Sequence, residues 1–242
     1  MSSSAKKVII IGASSGIGRA LALLYIQAGC RVGITGRSCD ALQQIKNQYP
    51  GQVFTACFDV MGAENTPQLE SLIGSMGGMD LLIYNAGYGE ISKTLDWNIE
   101  KTTTLTNVNG FIEIAVYAFN YFVQQGHGQL AGTSSIAAMA GNGVAPAYSA
   151  GKAFMSNYLE GLYIRARHLK IPLIITDIQP GFVDTKMSKG EKRFWVAPVE
   201  KAALQVFHAL GRRRFRVYIT RRWWLVAQLV KLIPGSLYRR LG

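Results

Sequence analysis

The chain has 242 residues, 49% of them hydrophobic and 17% charged, and carries a formal net charge of +12. This length and composition suit one α/β domain, and no apolar run reaches the roughly eighteen residues of a membrane span. Three cysteines (Cys30, Cys39 and Cys57) show neither CxxC nor metal spacing, and the odd count argues against a disulfide framework; three scattered histidines form no metal-ligand cluster. The polar opening from Met1 to Lys7 is not a signal peptide, so a cytoplasmic, reducing location is expected.

Val8 to Ile11 is a β-branched apolar run that reads as a strand buried on both faces. It leads into Gly12-Ala13-Ser14-Ser15-Gly16-Ile17-Gly18, followed by a helical pattern from Arg19 to Ala28 with Gly29 as C-cap. A strand, a glycine turn and a helix N-terminus together can cradle a pyrophosphate on backbone N–H groups. The spacing is G-x-x-x-G-x-G, which departs from the general dinucleotide fingerprint.

Arg31 to Thr35 reads as the second strand, closed by Gly36-Arg37-Ser38. An Asp or Glu here would accept from the adenosine ribose and select NAD, but Asp40 comes later and starts the next helix. Arg37, with Arg19 beside the glycine turn, can instead pair with a 2′-phosphate, which favours NADP over NAD. Val53 to Phe58 is the third strand, ending at Asp59-Val60, and Leu81 to Tyr84 the fourth, followed by Asn85-Ala86-Gly87. A long helical pattern contains Asn107-Val108-Asn109-Gly110; Gln129 to Thr133 is a weak fifth strand and Leu173 to Ile178 a clear sixth, closed by Gln179-Pro180-Gly181. Alternating strands and helices imply βαβ crossovers: a Rossmann-like, doubly wound parallel sheet of about seven strands with helices on both faces. Gly12, Asp59, Asn85, Ser135 and Pro180 all fall at carboxyl ends of strands, where such sheets bind ligands.

Tyr148 and Lys152 stand four apart in a segment without proline after Pro146, which places them one turn apart on one helical face. A phenol has an unperturbed pKa of about 10, and a neighbouring ammonium favours its ionised form. Ser135, thirteen residues earlier, can hydrogen-bond the substrate oxygen that Tyr148 protonates. Together they suit reduction of a carbonyl or oxidation of an alcohol, opposite a hydride carrier.

Gly12-x-x-x-Gly16-x-Gly18, Asp59, Asn85-Ala86-Gly87, Asn107, Ser135, Tyr148-x-x-x-Lys152 and Pro180-Gly181 occur in order over Lys7 to Thr185. On these residues the chain resembles the short-chain dehydrogenase/reductase family, in its shorter single-domain branch. The resemblance implies a nicotinamide-dependent oxidoreductase; with the Arg37 reading, NADP(H) is the expected cofactor, NAD the lesser choice, and no metal is expected. Tyr148 would be the acid/base, Ser135 would polarise the carbonyl, Lys152 would hold the nicotinamide ribose and lower the pKa of Tyr148, and Asn107, preferred to Asn109, would hold a water on the proton path. Cofactor contacts are expected from Gly12, Ser14, Ser15, Gly16, Ile17, Gly18, Arg37, Asp59, Val60, Asn85, Ala86, Gly87, Tyr148, Lys152, Pro180, Gly181, Val183 and Thr185. A homo-oligomer, dimer or tetramer, is expected. Ile11, where many members have Thr, and Tyr84, where Asn is common, read as scaffold variation. The rival reading is a catalytically idle dinucleotide-binding scaffold or redox sensor.

Lys186, Met187, Phe194 and Trp195, in the segment from Phe182 to Pro198, read either as a hydrophobic substrate wall or as a packed loop. Phe215 to Thr220 alternates with period two and reads as a seventh strand, closing a domain over residues 1–220. Residues 221–242 form a basic amphipathic helical appendage, and from Gly211 onward there are eight arginines, one lysine and no acid. Trp223, Trp224, Leu225, Leu229 and Leu232, beside Arg221, Arg222, Lys231, Arg239 and Arg240, suit peripheral contact with a membrane interface, here the inner surface. Contact with a second subunit or with the chain's own cleft is the alternative, and nucleic acid ranks below both.

Overall fold

The computed structural model describes residues 5–62, 65–187 and 194–233, apart from the side chain of Lys231. Its strands are β1 (Lys7–Ile11), β2 (Arg31–Gly36), β3 (Val53–Cys57), β4 (Leu81–Tyr84), β5 (Gly128–Thr133), β6 (Leu173–Pro180) and β7 (Arg216–Ile219). They form one parallel sheet in the order β3-β2-β1-β4-β5-β6-β7. The chain builds outward from β1 to β3, then returns to β4 on the other side of β1. That reversal opens a crevice above the carboxyl ends of β1 and β4.

The β-branched and leucine-rich central strands explain why both faces are covered. Val8 and Ile10 enter one core with residues of α1 (Gly16–Gln27), α2 (Cys39–Gln48) and α7 (Val199–Gly211). Ile9 and Ile11 point the other way, into a core shared with α3 (Asn65–Met76), α5 (Gly110–Gln125) and α6 (Pro146–His168). Side chains alternate across a strand, so one apolar run feeds both layers. Each fully buried Ile or Leu contributes about 2 kcal/mol. Two shorter pieces matter for the site: α4 (Trp97–Thr104), capped where Asp96 accepts from the Asn98 N–H at 2.8 Å, and α8 (Arg222–Leu232) near the carboxyl terminus.

The seven-stranded doubly wound sheet matches the sequence expectation. Several local readings are corrected. The first helix starts at Gly16 rather than Arg19. A Cβ on Gly18 would strike the Gly12 carbonyl and lie 2.8 Å from Asn85 Nδ2, so the missing side chain lets the helix start inside the turn. The sixth strand runs on to Pro180.

The reading that excluded a disulfide is overturned: Cys39 and Cys57 are bonded, with Cα atoms 5.3 Å apart. Sheet register explains it, because Gly36 pairs with Cys57 and α2 opens at Cys39. An 18-residue separation in sequence hides that closeness. Cys30 remains a buried free thiol.

A helix runs over Arg222–Leu232, but Trp223 is only 3% exposed and does not belong to its outer apolar surface. Leu237, Tyr238, Arg239 and Arg240 lie outside the described residues, as do Pro234 and Gly235. No helix among the described residues is long and apolar enough to cross a membrane.

Candidate active site

The glycine turn after β1 is shaped by close approaches. Gly12 has φ +84°, and a Cβ there would lie 2.7 Å from the Ala86 backbone. The N–H groups of Gly12 and Ala13 both donate to the Thr35 carbonyl, at 3.0 and 2.8 Å. Ser15 caps α1 without a side-chain bond and the first turn holds no acid, so the N–H groups at Gly16, Ile17 and Gly18 face no competing carboxylate. An anion is favoured at such a helix start. Ser14 packs on Gly36, its Oγ 3.0 Å from where a Cβ would stand, which places the turn against the segment bearing Arg37.

Arg37 is largely exposed, and its Nη1 lies 3.8 Å from Asp59 Oδ2. Arg19 is exposed on α1. Asp59 also accepts from the Met61 N–H at 3.0 Å, and Val60 is buried beneath Gly110 at the start of α5. At the next strand end, Asn85 ties the crevice together: its Nδ2 donates to the Gly12 carbonyl at 3.2 Å and its Oδ1 accepts from Thr133 at 3.3 Å. On the far side, Thr185 Cγ2 stands 3.4 Å from a Cβ on Gly16. Val183 forms an isolated parallel bridge with Ala197.

Deeper in, Asn107 is fully buried in a π-helical turn, Leu105–Asn109, between α4 and α5. Such wide turns recur at functional sites because they re-aim a side chain. Asn109, by contrast, is exposed. The Asn107 amide grips the Tyr88 backbone, accepting from its N–H at 3.0 Å and donating to its carbonyl at 2.7 Å. Tyr84, which reads from sequence as scaffold variation, donates its phenol to the Thr106 carbonyl at 2.7 Å and anchors this turn to β4.

Ser135 follows β5 and caps a short 3-10 turn, Ile136–Met139, by accepting from the Ala137 N–H at 3.1 Å; its hydroxyl also reaches the Pro180 carbonyl at 3.5 Å. Tyr148 and Lys152 share the first turns of α6 as expected, with Nζ 5.9 Å from the phenol ring centroid. Lys152 is 3% exposed, and its ammonium donates to the Thr133 carbonyl at 2.8 Å. A Cβ on Gly87 would sit 3.3 Å from Lys152 Nζ, 3.4 Å from Asn107 Oδ1 and 3.6 Å from Met187 Cε. Lys152 and Asn107 therefore meet at Gly87, and the Tyr148 ring stands beside Lys152.

Burial raises the Tyr148 phenol above its usual value, while a hydrogen bond with Ser135 pulls it down. Burial is the larger of these two causes. Lys152 is itself lowered to about 8 by burial, with Asp177 opposing.

Sequence reading missed three supports. Gly89 lies flat under the Tyr148 ring, where any Cβ would strike it. Asp177 is fully buried beneath the Ser134-Ser135 pair, accepting from Ser134, from Ser156 at 2.7 Å, from Gln179 at 2.7 Å and from Arg216 Nε at 3.1 Å. Trp223 of α8 lies against Gly181 within a cluster of Phe182, Phe194 and Trp195, its ring centroids 5.1 to 6.1 Å from theirs. The first was legible only as one more glycine. The others join segments 21 to 43 residues apart, with no local spacing to betray them.

A family model described as short chain dehydrogenase matches residues 6–194. The chain belongs to the short-chain dehydrogenase family. It is accordingly an oxidoreductase that works with NAD(P). Among relatives of this family, an uncharacterized oxidoreductase of Myxococcus xanthus is 34% identical over 189 residues, covering 76% of this chain and 74% of its own. Two solved short-chain dehydrogenases share the fold. One, from Burkholderia cenocepacia in complex with NADP, has a TM-score of 0.82 at 22% identity, covering 98% of this chain and 97% of its own. The other, from Burkholderia phymatum in complex with NAD, also reaches 0.82, at 19% identity, covering 93% and 92%.

Proposed function

We propose that this short-chain dehydrogenase transfers hydride between NADP(H) and a hydrophobic ketone or secondary alcohol, with Tyr148 as the acid/base. The observation that carries the reading is that Lys152 and Asn107 meet at Gly87 while Tyr148 stands beside Lys152 and hydrogen-bonds Ser135. The crevice suits a dinucleotide. The side-chain-free turn at Gly12, Gly16 and Gly18, with Ser14, Ser15 and Ile17, would hold the pyrophosphate. Asp59, Val60, Asn85, Ala86 and Gly87 would line the adenosine-to-ribose side, and Pro180, Gly181, Val183 and Thr185 would close the nicotinamide side. Arg37 supports NADP over NAD, since a guanidinium favours a 2′-phosphate. The Burkholderia cenocepacia structure holds NADP, and the Burkholderia phymatum structure with NAD keeps the second cofactor in play.

When bound, the nicotinamide supplies or accepts the hydride. During reduction, Ser135 donates a hydrogen bond to the substrate carbonyl oxygen and fixes its position beside Tyr148. The phenol then gives that oxygen a proton as negative charge develops there. Lys152 holds the ribose and keeps positive charge near the phenolate that remains. Asn107 orients a water toward Lys152, through which the proton is replaced. Oxidation of an alcohol runs the same transfers in reverse.

The rim is apolar. Ile91, Leu95 and Trp97 after β4, Val144 after β5, and Met187, Phe194 and Trp195 after β6 are all at least 40% exposed. The Ser92 N–H donates to the Val144 carbonyl at 2.8 Å, holding two of these loops together. This arrangement supports a hydrophobic substrate wall. A panel of long-chain, steroid-like and retinoid-like ketones, set against small ketoses and followed by NADPH absorbance, tests the reading. Turnover is expected for the apolar compounds, and faster turnover of ketoses would sink that preference. The rival idle scaffold predicts tight NADPH binding with no turnover of any compound.

The pH dependence follows from Lys152. Its folded pKa, about 8, lies below the ordinary 10.5. The folded state thus sheds this proton first, and the destabilising burial of charge, present below pH 8, fades as pH rises toward 10.5. Loss of that charge also removes the ribose-holding ammonium, so kcat/KM for NADPH should fall as pH rises through about 8. In Lys152→Met, kcat/KM should be low at every pH and lack that limb. An unchanged limb in the variant would assign it to another group.

The chain would work as one catalytic domain, a homo-oligomer, with α8 as a basic extension bearing a membrane-facing stripe. While Trp223 and Ala227 are buried, Trp224, Leu225, Leu229 and Leu232 stand 49 to 78% exposed on the outer face, beside exposed Arg221 and Arg222. Salt-sensitive pelleting with anionic vesicles is expected. In Leu225→Gln/Leu229→Gln it should weaken by about tenfold per leucine, with NADPH affinity unchanged. A change of oligomeric mass in that variant, with no pelleting of the parent protein, would make the stripe a subunit contact.

A further inference from the structure

Around Arg37 the chain carries a second chemistry that hydride transfer does not use. Cys39 opens α2 two residues after Arg37, and Cys57 ends β3 two residues before Asp59, the carboxylate that Arg37 faces at 3.8 Å. Their disulfide therefore ties together the two strand ends between which Arg37 emerges. Cys57 Sγ lies 3.9 Å from the Arg37 carbonyl oxygen. Ser38, the N-cap of α2, makes no side-chain cap, so no side-chain hydrogen bond from the cap residue holds the start of this helix. Register pairing of Gly36 with Cys57, and a 3.2 Å bond from the Phe58 N–H to the Gly36 carbonyl, carry the strands only to the edge of the turn. Beyond that edge the covalent bond ties the turn to β3, joined by the exposed 3.8 Å pair of Arg37 with Asp59. Both cysteines are exposed, so a reductant can reach them, whereas the free thiol of Cys30 is buried.

We propose that Cys39 and Cys57 form a reversible redox-modification site, taking a dithiol reductant, that sets the position of Arg37 and with it the preference for NADP over NAD. This rests on the reading that Arg37 meets the 2′-phosphate. In the reductive step a thiolate of the dithiol attacks one sulfur of the protein disulfide and the S–S bond breaks. The resulting mixed disulfide is resolved by the second thiol of the reductant. Two electrons and two protons pass to the protein, leaving Cys39 and Cys57 as thiols and the reductant as a cyclic disulfide. A small-molecule disulfide reverses the exchange. Reduction frees the α2 start and spreads Arg37 over more conformations, so the contact to a 2′-phosphate weakens. NADH has no such phosphate and is indifferent.

The test uses the whole protein, treated with oxidised glutathione or with dithiothreitol, and alkylated under native conditions for mass measurement. The oxidised protein should take up no label, and the reduced protein should be labelled at both Cys39 and Cys57. By cofactor fluorescence, reduction should weaken NADPH binding by about fivefold while NADH affinity stays within about twofold. Cys39→Ser/Cys57→Ser should bind NADPH as the reduced protein does and ignore both treatments. Arg37→Ala separates this inference from the reading beneath it. If Arg37→Ala weakens NADPH binding but reduction does not, the redox site is refuted and the cofactor reading stands. If wild type and Arg37→Ala bind NADPH and NADH equally in both redox states, both ideas fall. Labelling of Cys39 and Cys57 after oxidation also overturns the proposal.

Discussion

Tyr148→Phe is expected to lower kcat for ketone reduction by about 10²- to 10⁴-fold, the usual contribution of a positioned proton donor. The ring stays, so NADPH affinity and stability should hold. Only the hydroxyl, the proton donor in the proposed mechanism, is removed, together with its hydrogen bond to Ser135. Retained turnover in this variant would remove Tyr148 from the chemistry. Gly89→Ala is the steric counterpart. The ring rests directly on Gly89, so an added methyl must push the phenol aside. A displacement on the order of 1 Å at a reacting group can cost about 10²-fold in rate. The two variants should therefore share a kinetic defect although only one lacks the hydroxyl.

Arg216→Ala should destabilise the fold by about 3 kcal/mol, measured by denaturant unfolding. Asp177 is wholly buried, and Arg216 Nε, 3.1 Å away, is the cation that compensates it. Removing the cation leaves a buried carboxylate hydrogen-bonded by Ser134, Ser156 and Gln179, with the more distant Lys152 ammonium still acting on it. Arg216 keeps some solvent contact, which argues for the low end of the range for broken buried pairs. Its second partner, Glu160 at 3.2 Å, is half exposed and contributes little. Asp177→Asn in the Arg216→Ala background should recover part of the loss, because the uncompensated charge is gone. A loss below about 1 kcal/mol would show that the three neutral donors suffice without the cation.

What the sequence by itself determined was whatever depends on neighbours along the chain. Val8 to Ile11 declares a doubly covered strand through β-branching, and the spacing of Gly12, Gly16 and Gly18 declares a turn into a helix. Tyr148 and Lys152 were legible as one helical face because a helix brings positions four apart together. Where strand ends carry Gly12, Asn85, Ser135 and Pro180, a parallel sheet aligns those ends, and the crevice follows.

Only the tertiary structure decided what depends on distant segments meeting. The bond between Cys39 and Cys57 needs the register of β2 on β3, which no cysteine count contains. That Asn107 is buried and Asn109 exposed depends on the π-helical turn and its tie to Tyr88 and Tyr84. Trp223 and Leu225 look alike in an amphipathic pattern, but the sheet edge and Gly181 bury the first and leave the second exposed. For the Tyr148–Lys152 pair, too, burial shifts both groups, and spacing along the helix does not contain burial. Local pattern fixes which atoms are adjacent along an element; desolvation and pairing depend on everything packed around them.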